Sequence, residues 1–443
     1  MNPVAFIEDK RDGKESTPSE IGEFVRLAQK GGIADYQLAA WLMAVFFRGM
    51  TRGEVKAFTE ALAASGRAVR FPPDIFPVDK HSTGGVGDKT SLVVVPLAAA
   101  CGVPVAKLSG RGLGFTGGTV DKLESIPGFS AHLELERFVD QVRSVGCAIS
   151  GHSEDLAPAE ALFYELRDVT GTVSSIPLIT SSIVGKKIAG GSRAFVFDVK
   201  CGSGAFMKDE ASAFELSENL VGLSDSLDRS AMALVTDMSQ PLGRWVGNAA
   251  EVAEAVEVLL QRGPGDVREL SLRLAASMVH LGGRAGSQDE GRRLAESALE
   301  TGRAYDKFQE MVRAQGGDLD RFNSLAAGGG HLAGEARVIR APKGGFVTRC
   351  DARAAGEGLR ILGGGRLTRK DVVDPGAALE VLKKAGDPVS EDEPLARVFF
   401  SCHEGRWDEA RPLLEGAFEI GEETLPPTLV IGSVGPRKRR DGA

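Results

Sequence analysis

Residues 78–91, VDKHSTGGVGDKTS, form a glycine-rich stretch that also carries lysine, histidine and hydroxyl side chains. Successive glycines let backbone N–H groups turn inward and bind an anion. The spacing does not fit a nucleotide-binding P-loop, in which glycine and lysine are adjacent, because Asp88 separates Gly87 from Lys89. The stretch therefore predicts an anion site of another kind.

A second glycine-rich stretch, KLSGRGLGFTGGTVDKLES at residues 107–125, also follows a predicted strand. Loops at the carboxyl ends of neighbouring parallel strands converge where ligands bind in open α/β sheets. The two stretches predict one shared phosphate site, and its donors would be Lys80, Ser82, Ser91, Ser109 and Thr119.

Two predicted helices carry a further set of polar groups. Tyr164 and Arg167 are three residues apart in the first helix, and Ser182 and Lys186 are four apart in the second, so each pair shares a helix face. A planar guanidinium beside compact donors suits a planar ligand with several acceptors, such as a uracil-like ring. The alternative is surface charge on two amphipathic helices.

Three short helices are expected within residues 19–66, ahead of this chemistry. Ser19 would cap the first, and Thr51 with Glu54 has the spacing of a capping box for the third. The middle helix, ADYQLAAWLMAVFFRGM, is apolar nearly all round, which predicts burial, with another subunit as one way to achieve it. The prolines of RFPPDIFPV then stop the helical pattern and mark a hinge.

Beyond the hinge, short apolar runs alternate with helical patterns, which predicts an α/β sheet covered on both faces. The predicted strands are SLVVVP, VPVAKL, CAIS, AFVFDV and AMALVTD. The predicted helices are LERFVDQVRSVG, APAEALFYELRDV, IPLITSSIVGKKIAGG and most of residues 247–304. After a linker at about 324–335, glycine turns separate short β-like runs.

The expected fold is α/β, with a helical cap domain, a larger α/β domain around a mostly parallel sheet, and a β-rich C-terminal lobe. The predicted divisions are 1–66 with 157–190 for the cap, 76–156 with 191–330 for the α/β domain, and 335–443 for the lobe. Because the two sets of polar groups fall in different domains, we expect the cleft to close over its substrates, hinged at RFPPDIFPV and near GGSRAF.

Composition narrows the function classes. The net charge of −8 disfavours a nucleic-acid or anionic-membrane partner. Cys101, Cys147, Cys201, Cys350 and Cys402 show no metal-binding spacing, which predicts reduced thiols, a cytoplasmic location and no zinc site. The charged N-terminus lacks the apolar core of a signal peptide, and LAAWLMAVFFRGM is too short to span a bilayer. The basic PRKRR near the C-terminus is interpreted as a solvated tail.

Five motifs together carry a family resemblance: KHSTGGVGD, SGRGLGFTGGTVDKLE, FYELRDVTGTV, SIPLITSSIVGKK and DVKCGSGAFM. The chain closely resembles the thymidine and pyrimidine-nucleoside phosphorylases, in register from about residue 1 to 430. The resemblance implies a homodimer formed through the helical cap, with a pyrimidine nucleoside and inorganic phosphate as substrates.

The resemblance also implies roles for individual residues. Family phosphate ligands fall on Lys80, Ser82, Ser91, Ser109 and Thr119. Family pyrimidine contacts fall on Tyr164, Arg167, Ser182 and Lys186, with Leu113, Val173 and Phe206 as apolar walls. His81 is the family's active-site histidine. A structural potassium ion would be held by backbone oxygens of Gly87, Lys89, Leu242 and Trp245 and by the Glu254 carboxylate.

The implied reaction is attack of phosphate on C1′ while the base leaves as an anion through an oxocarbenium-like sugar, with no cofactor needed. Arg167 and Lys186 would stabilise the base, and His81 would donate a hydrogen bond or a proton. Phosphate held on the opposite face predicts inversion to the α-sugar 1-phosphate. Lys107, two residues before Ser109, resembles the branch that accepts both ribo- and deoxyribonucleosides, so uridine, thymidine and deoxyuridine are the expected substrates.

Alternatives remain open from the sequence. A strict thymidine phosphorylase is the nearest, and an enzyme like anthranilate phosphoribosyltransferase is the next, although the latter needs magnesium and an acidic pair that DVKCGSGAFM lacks. A catalytically idle pyrimidine-binding protein is the alternative outside enzymes. Two departures from the family pattern are Phe115, where many relatives have histidine, and Gly171 in place of a common alanine.

Overall fold

The computed structural model describes residues 1–112, 114–153, 155–334, 336–368, 371–401 and 404–436. Leu113, Cys402 and the basic residues from 437 onward lie outside them. The chain begins with four helices: α1 (Pro3–Arg11), α2 (Pro18–Gln29), α3 (Asp35–Arg48) and α4 (Arg52–Ala63). Helix α1 was not predicted.

The capping box at Thr51 and Glu54 is confirmed, because each side chain accepts the other's backbone N–H. Ser19 as the cap of α2 is wrong. The cap is Thr17, which forms a capping box with Glu20 and is followed by a proline at the first helical position.

The α/β part of the chain follows. Its elements are β1 (Val78–Ser82), α5 (Thr90–Ala100), β2 (Val105–Ser109), α6 (Thr119–Leu123), α7 (Leu135–Val145), β3 (Cys147–Gly151), α8 (Pro158–Thr170), α9 (Ile176–Ala189), β4 (Ala194–Cys201), α10 (Glu210–Ser226) and β5 (Ser230–Asp237). Next come β6 (Trp245–Val246), α11 (Asn248–Leu259), α12 (Gly265–Leu281), α13 (Gln288–Glu300), α14 (Arg303–Ala314) and α15 (Leu319–Ala327).

Helices α8 and α9 return to the first four helices and complete the bundle. Phe163 of α8 packs against Phe24, Trp41 and Phe58, with ring centroids 5.2 to 6.2 Å apart. This aromatic cluster fixes α8, and α9 packs mainly on α4. The polar face of the α8–α9 pair is thereby held opposite the sheet.

Strands β1 to β5 form the parallel core of the central sheet, in the order β5–β4–β1–β2–β3. Every residue of β4 is buried, as expected for a strand covered on both faces. The predicted strand SLVVVP is wrong, since these residues lie in helix α5. A short run that is buried on all sides has no polar face, and its periodicity cannot distinguish a strand from a helix.

In the described residues, the C-terminal lobe comprises two small antiparallel sheets and two α-helices. Its elements are β7 (Ala336–Arg340), β8 (Gly345–Cys350), α16 (Ala352–Leu359) with a π-helical turn (Arg360–Gly364), β9 (Ala378–Val381), β10 (Pro388–Val389), β11 (Pro394–Phe399), α17 (Glu404–Gly416), β12 (Phe418–Gly421) and β13 (Val430–Val434). The sheet orders are β10–β8–β12 and β6–β9–β11–β7. The expected fold class, a helical bundle with a mostly parallel α/β domain and a β-rich lobe, is confirmed.

Two strands cross between these parts. Strand β6 pairs with β9 of the lobe, and β13 pairs antiparallel with β5 at the edge of the central sheet. The linker expected at 324–335 is partly helical, because α15 extends to Ala327. Within the described part of the chain, no helix is both long and apolar enough to cross a bilayer.

Candidate active site

A cavity of about 490 Å³ opens at the carboxyl ends of β1 to β4, where α8 and α9 face the central sheet. Most of the residues predicted for the site line it: His81, Ser82, Ser91, Lys107, Ser109, Thr119, Tyr164, Arg167, Val173, Ser182, Lys186 and Phe206. The two glycine-rich stretches and the two helical pairs therefore meet in one space.

Glycine geometry shapes the end of the cavity that lies at the sheet. Gly84 has a φ of 97°, a conformation that other residues rarely adopt. In the second stretch, a Cβ on Gly118 would lie 2.1 Å from the backbone nitrogen of Gly112, so only glycine lets the loop fold back on itself. Tight glycine turns of this kind can direct backbone N–H groups at an anion.

Asp88 places a carboxylate beside this end of the cavity, and the sequence analysis gave it no role there. Its oxygens accept hydrogen bonds from the hydroxyls of Ser82 and Thr90, each at 2.5 Å. Burial alone would raise the pKa of Asp88, but the ammonium groups of Lys200, Lys80 and Lys122 hold it well below its ordinary value. Asp88 is therefore ionised and orients the loop hydroxyls.

Lys80 does not line the cavity, in contrast to its predicted role as a direct ligand. Its side chain is completely buried, and its Nζ donates to Thr90 Oγ1 at 2.6 Å and lies 3.3 Å from the Asp198 carboxylate. In this structure Lys80 therefore helps to position the glycine loop through its hydrogen bond to Thr90.

The His81 ring lies at the junction between the sheet and the helices, and it is half-buried. Burial and the nearby ammonium groups of Lys187, Lys107, Lys80 and Lys186 hold the pKa of His81 well below its ordinary value. The free protein therefore has a neutral imidazole at pH 7, which donates one hydrogen bond and accepts another.

At the helical end, the Arg167 guanidinium is 3% exposed and bridges the turn between α8 and α9. One Nη donates to the carbonyl of Val173 at 2.7 Å and the other to that of Leu178 at 3.1 Å. The buried Nε has no hydrogen-bond partner in the described part of the chain. Tyr164 lies between the cations, with the Lys186 ammonium 4.6 Å from its ring centroid.

Glu160 is a site residue that the sequence analysis missed. Its buried carboxylate accepts a hydrogen bond from Ser182 Oγ at 2.5 Å and pairs with Lys186 Nζ at 2.9 Å. The signal was present, because Glu160 precedes Tyr164 by four residues and Arg167 by seven and so shares their helix face. The helical end thus combines the two cations with a buried carboxylate.

Lys107 extends from β2 into the cavity and is 3% exposed. The neighbouring Asp79 pairs with Lys187 at 2.6 Å and lies 3.9 Å from Lys107 Nζ. Burial, followed by the charge of Lys187, holds the pKa of Lys107 well below its ordinary value. Among the described residues, Lys107 is therefore a cavity amine whose carboxylate neighbour, Asp79, is 3.9 Å away.

Comparisons with known proteins agree with this geometry. The model of the glycosyl transferase family a/b domain matches residues 76–305, that of the family's helical bundle domain matches 4–66, and the pyrimidine nucleoside phosphorylase C-terminal domain matches 346–421. The pyrimidine-nucleoside phosphorylase of Staphylococcus haemolyticus is 44% identical over 97% of this chain and 99% of its own length. That of Geobacillus stearothermophilus is 43% identical over 98% and 100%.

The chain belongs to the pyrimidine-nucleoside phosphorylase family. It also shares its fold with the anthranilate phosphoribosyltransferase of Thermus thermophilus, at a TM-score of 0.58 and 20% identity, over 70% of this chain and 98% of that one. At that identity the likeness concerns the fold alone.

The potassium ion implied by the family does not fit the residues of this phosphorylase. Three of the oxygens named for it, those of Leu242, Trp245 and Glu254, do converge, but the Lys89 ammonium fills the space among them. Its Nζ contacts the carbonyls of Trp245 at 2.6 Å and Leu242 at 3.1 Å, and it also contacts the Glu254 carboxylate. No room remains there for a second cation.

The two departures from the family pattern have structural explanations. The Phe115 ring faces the C-terminal lobe, where the Arg353 guanidinium lies 5.5 Å from its centroid, and it does not line the cavity. Gly171 ends α8 in the left-handed conformation, with a φ of 70°, which favours glycine over alanine. Neither departure removes a polar group from the cavity.

Proposed function

We propose that this protein catalyses the phosphorolysis of pyrimidine nucleosides to the free base and the α-(deoxy)ribose 1-phosphate. The observation that carries the proposal is one cavity with two chemically different ends. Glycine loops and hydroxyls lie at the sheet, and cations with an aromatic ring lie on α8 and α9. The names of the relatives in the family support the same activity.

In the proposed reaction, a phosphate oxygen forms a bond to C1′ as the C1′–N1 bond breaks. The electron pair of the broken bond leaves with the base, and the proton of hydrogenphosphate ends on the base. Inorganic phosphate is the co-substrate, and the chemistry needs no organic cofactor. Because attacker and leaving group occupy opposite faces of the sugar, the configuration at C1′ inverts.

The sheet end would hold the phosphate. We propose that Ser82, Ser91, Ser109 and Thr119 donate hydroxyl hydrogen bonds there, together with backbone N–H groups of the glycine loops. Ser82 would exchange its hydrogen bond to Asp88 for one to the phosphate. All four side chains line the cavity. Lys80 would act indirectly, since it fixes Thr90 and the loop beneath the phosphate.

The helical end would hold the pyrimidine. The developing negative charge on the base would be stabilised by Arg167 and Lys186 in a partly dehydrated cavity, where such contacts are strong. Tyr164 and Phe206 would contact the ring, and Ser182, whose hydroxyl donates to Glu160, would accept the N3–H. Val173 would complete the apolar wall, and the wall role proposed for Leu113 falls on a residue outside the described part of the chain.

His81 would act between the two ends. Its neutral imidazole donates a hydrogen bond to a base carbonyl as charge develops there. Bound phosphate would add negative charge nearby and raise the pKa of the ring, which makes protonation easier in the complex than in the free protein.

We further propose that uridine, thymidine and deoxyuridine are all substrates. Lys107 places a buried amine at the sheet end of the cavity, and its position matches the broad-specificity branch of the family. A strict thymidine phosphorylase is the alternative.

Two assays test these proposals. The first follows release of free uracil or thymine with and without inorganic phosphate, and equal release without phosphate would contradict phosphorolysis. The second compares kcat/KM for uridine and thymidine, and thymidine turnover without any uridine turnover would contradict broad specificity.

A phosphoribosyltransferase like the structural neighbour is less compatible with the charges present. The Asp198 carboxylate, at the segment where that activity needs an acidic pair, contacts Lys80 and Lys200 and accepts a hydrogen bond from Thr236 at 2.7 Å. A magnesium requirement with a phosphoribosyl pyrophosphate substrate would favour the rival.

We propose that the two ends of the cavity approach each other when both substrates bind. Residues 1–66 with 157–190 would move as one domain against 76–156 with 191–330, with 335–443 as a third unit. X-ray scattering with phosphate plus a nucleoside analogue should show compaction, and an unchanged radius of gyration would contradict closure.

We also propose a homodimer formed through the helical bundle, in the cytoplasm. The observation in favour of the dimer is an apolar patch on α3, where Tyr36 and Phe47 are each 77% exposed. Patches of this kind mark interaction surfaces. The free thiols of the described cysteines fit a reducing compartment.

A further inference from the structure

Lys89 points away from the cavity and buries its ammonium group in a shell of oxygen atoms. The side chain is completely buried, and it contacts the carbonyls of Leu242 and Trp245 and the carboxylate of Glu254. The shell is rigid, because the Glu254 carboxylate also accepts the backbone N–H groups of Arg244 and Trp245. These oxygen atoms form a preorganised binding site for one positive charge.

The oxygen shell has the chemistry of a monovalent-cation site. Backbone carbonyls together with a carboxylate are hard ligands that replace the hydration shell of an ion such as potassium. An ammonium group carries the same single charge and uses its three N–H donors toward the same kind of oxygens. Lys89 has three such contacts in the structure, one for each donor.

We propose that the Lys89 ammonium takes the place of a bound potassium ion in this phosphorylase. The chain itself supplies the positive charge that holds the first glycine loop against the segment 242–247 and α11. Lys89 directly precedes α5, so its side chain anchors the loop whose other residues line the sheet end of the cavity. The protein is therefore independent of added monovalent cations.

A second buried lysine provides the contrast. Lys10 in the helical bundle is also buried, but its Nζ bonds only the two oxygens of Glu54, at 2.8 and 2.9 Å. That pair lacks the backbone carbonyls of the Lys89 shell and is an ordinary buried ion pair. Removal of the Lys10 ammonium leaves the Glu54 carboxylate without the backbone carbonyls that would be needed to bind a cation.

The first experiment measures thermal unfolding of the wild-type protein after dialysis against choline chloride, NaCl or KCl at equal ionic strength. The expected result is the same Tm in all three salts, within about 1 °C. A resident potassium site near saturation would raise Tm in KCl by about 5 °C. A potassium-specific rise of that size would overturn the proposal, and this measurement decides it even if a variant fails to fold.

The second experiment repeats the measurement on Lys89→Ala, Lys89→Met and Lys10→Ala. Each variant leaves a buried carboxylate unpaired, which should lower Tm by about 5 °C or more. Lys89→Ala opens the oxygen shell, so KCl should restore at least about half of its loss relative to choline chloride. Lys89→Met leaves an apolar side chain in the space of the lysine stem, so KCl should not restore its Tm.

Lys10→Ala is the matched control, and its Tm should be equal in KCl and NaCl. If Lys89→Ala responded to potassium no more than Lys10→Ala does, the shell would not be a cation site and the proposal would be wrong. Because the readout is Tm, the result does not depend on whether the protein turns over nucleosides.

Discussion

Replacement of Arg167 by methionine should reduce both the free energy of unfolding and nucleoside turnover. The two losses have different causes and can be estimated separately. The methionine side chain keeps an unbranched apolar stem but lacks the guanidinium, which donates to the carbonyls of Val173 and Leu178. The guanidinium Nε has no hydrogen-bond partner among the described residues. The structural role thus concerns the turn between α8 and α9, and the proposed chemical role concerns the base.

The stability loss follows from the two hydrogen bonds. Each hydrogen bond to a charged group contributes about 1.5–3 kcal/mol, and both carbonyls would lose their donor. Burial lowers the pKa of Arg167, so the folded protein bears a cost for holding the cation that methionine removes. Two such bonds contribute about 3 kcal/mol at the low end, and relief of the burial cost brings the net loss to about 2 kcal/mol, or a Tm decrease of about 4 °C.

The catalytic loss is larger. A preorganised donor that stabilises a developing anion in a partly dehydrated site contributes about 3–4 kcal/mol. Nucleoside kcat/KM should therefore fall by about 100- to 1000-fold, while the affinity for phosphate alone should change by less than about threefold, because phosphate binds at the other end. Isothermal titration with phosphate and a base-release assay measure the two quantities.

Arg284→Met is the control outside the cavity, because the exposed Arg284 likewise donates to a backbone carbonyl, from its Nε to the oxygen of Gly102 at 2.8 Å. It should lose a similar or smaller amount of stability and keep full turnover. If Arg167→Met kept more than about a tenth of the nucleoside kcat/KM, or weakened phosphate binding to the same extent, the assignment of Arg167 to the base would be refuted.

Four further predictions concern other residues of the molecule. His81→Gln should lower kcat about 100-fold with phosphate affinity unchanged. Because the pKa of His81 is depressed in the folded state, the unfolded state takes up the proton first. The free energy of unfolding of the wild type should therefore fall as pH drops below about 6.5. Urea unfolding of His81→Gln should show a weaker decline over the same pH range. Phe47→Glu should shift the mass measured by light scattering from dimer to monomer, whereas a monomeric wild type would contradict the proposed interface. Lys107→Met should lower kcat/KM for uridine about tenfold relative to thymidine, and an unchanged ratio would remove Lys107 from sugar selection.

Motif spacing allowed the cavity to be predicted where the ligand-binding residues lie on regular elements. The i,i+3 and i,i+4 pairs on α8 and α9, and the loops after β1 and β2, follow from helix periodicity and strand direction. These rules determine which side chains share a face, and the structure places them around one cavity.

The rules fail where a residue's role depends on what lies behind it. Lys80 and Lys89 both lie in a motif that is typical of ligand-binding lysines. In the structure, Lys80 donates to Thr90, and the Lys89 ammonium fills an oxygen shell contributed by residues more than 150 positions away. Glu160 was missed because a carboxylate was not expected beside a base anion, although its helix face is correct. The helix at Thr90–Ala100 was missed because complete burial removes the periodic signal.

The pairing of β13 with β5 has a consequence for synthesis of the chain. Strand β5 ends at Asp237, but the strand that covers its outer edge begins at Val430. On the ribosome this apolar edge, with its free N–H and C=O groups, remains open while roughly 190 further residues are made. Nascent chains stalled within the C-terminal lobe should therefore be the species that associate with chaperones or aggregate, even though the nucleoside cavity is formed by residues already synthesised.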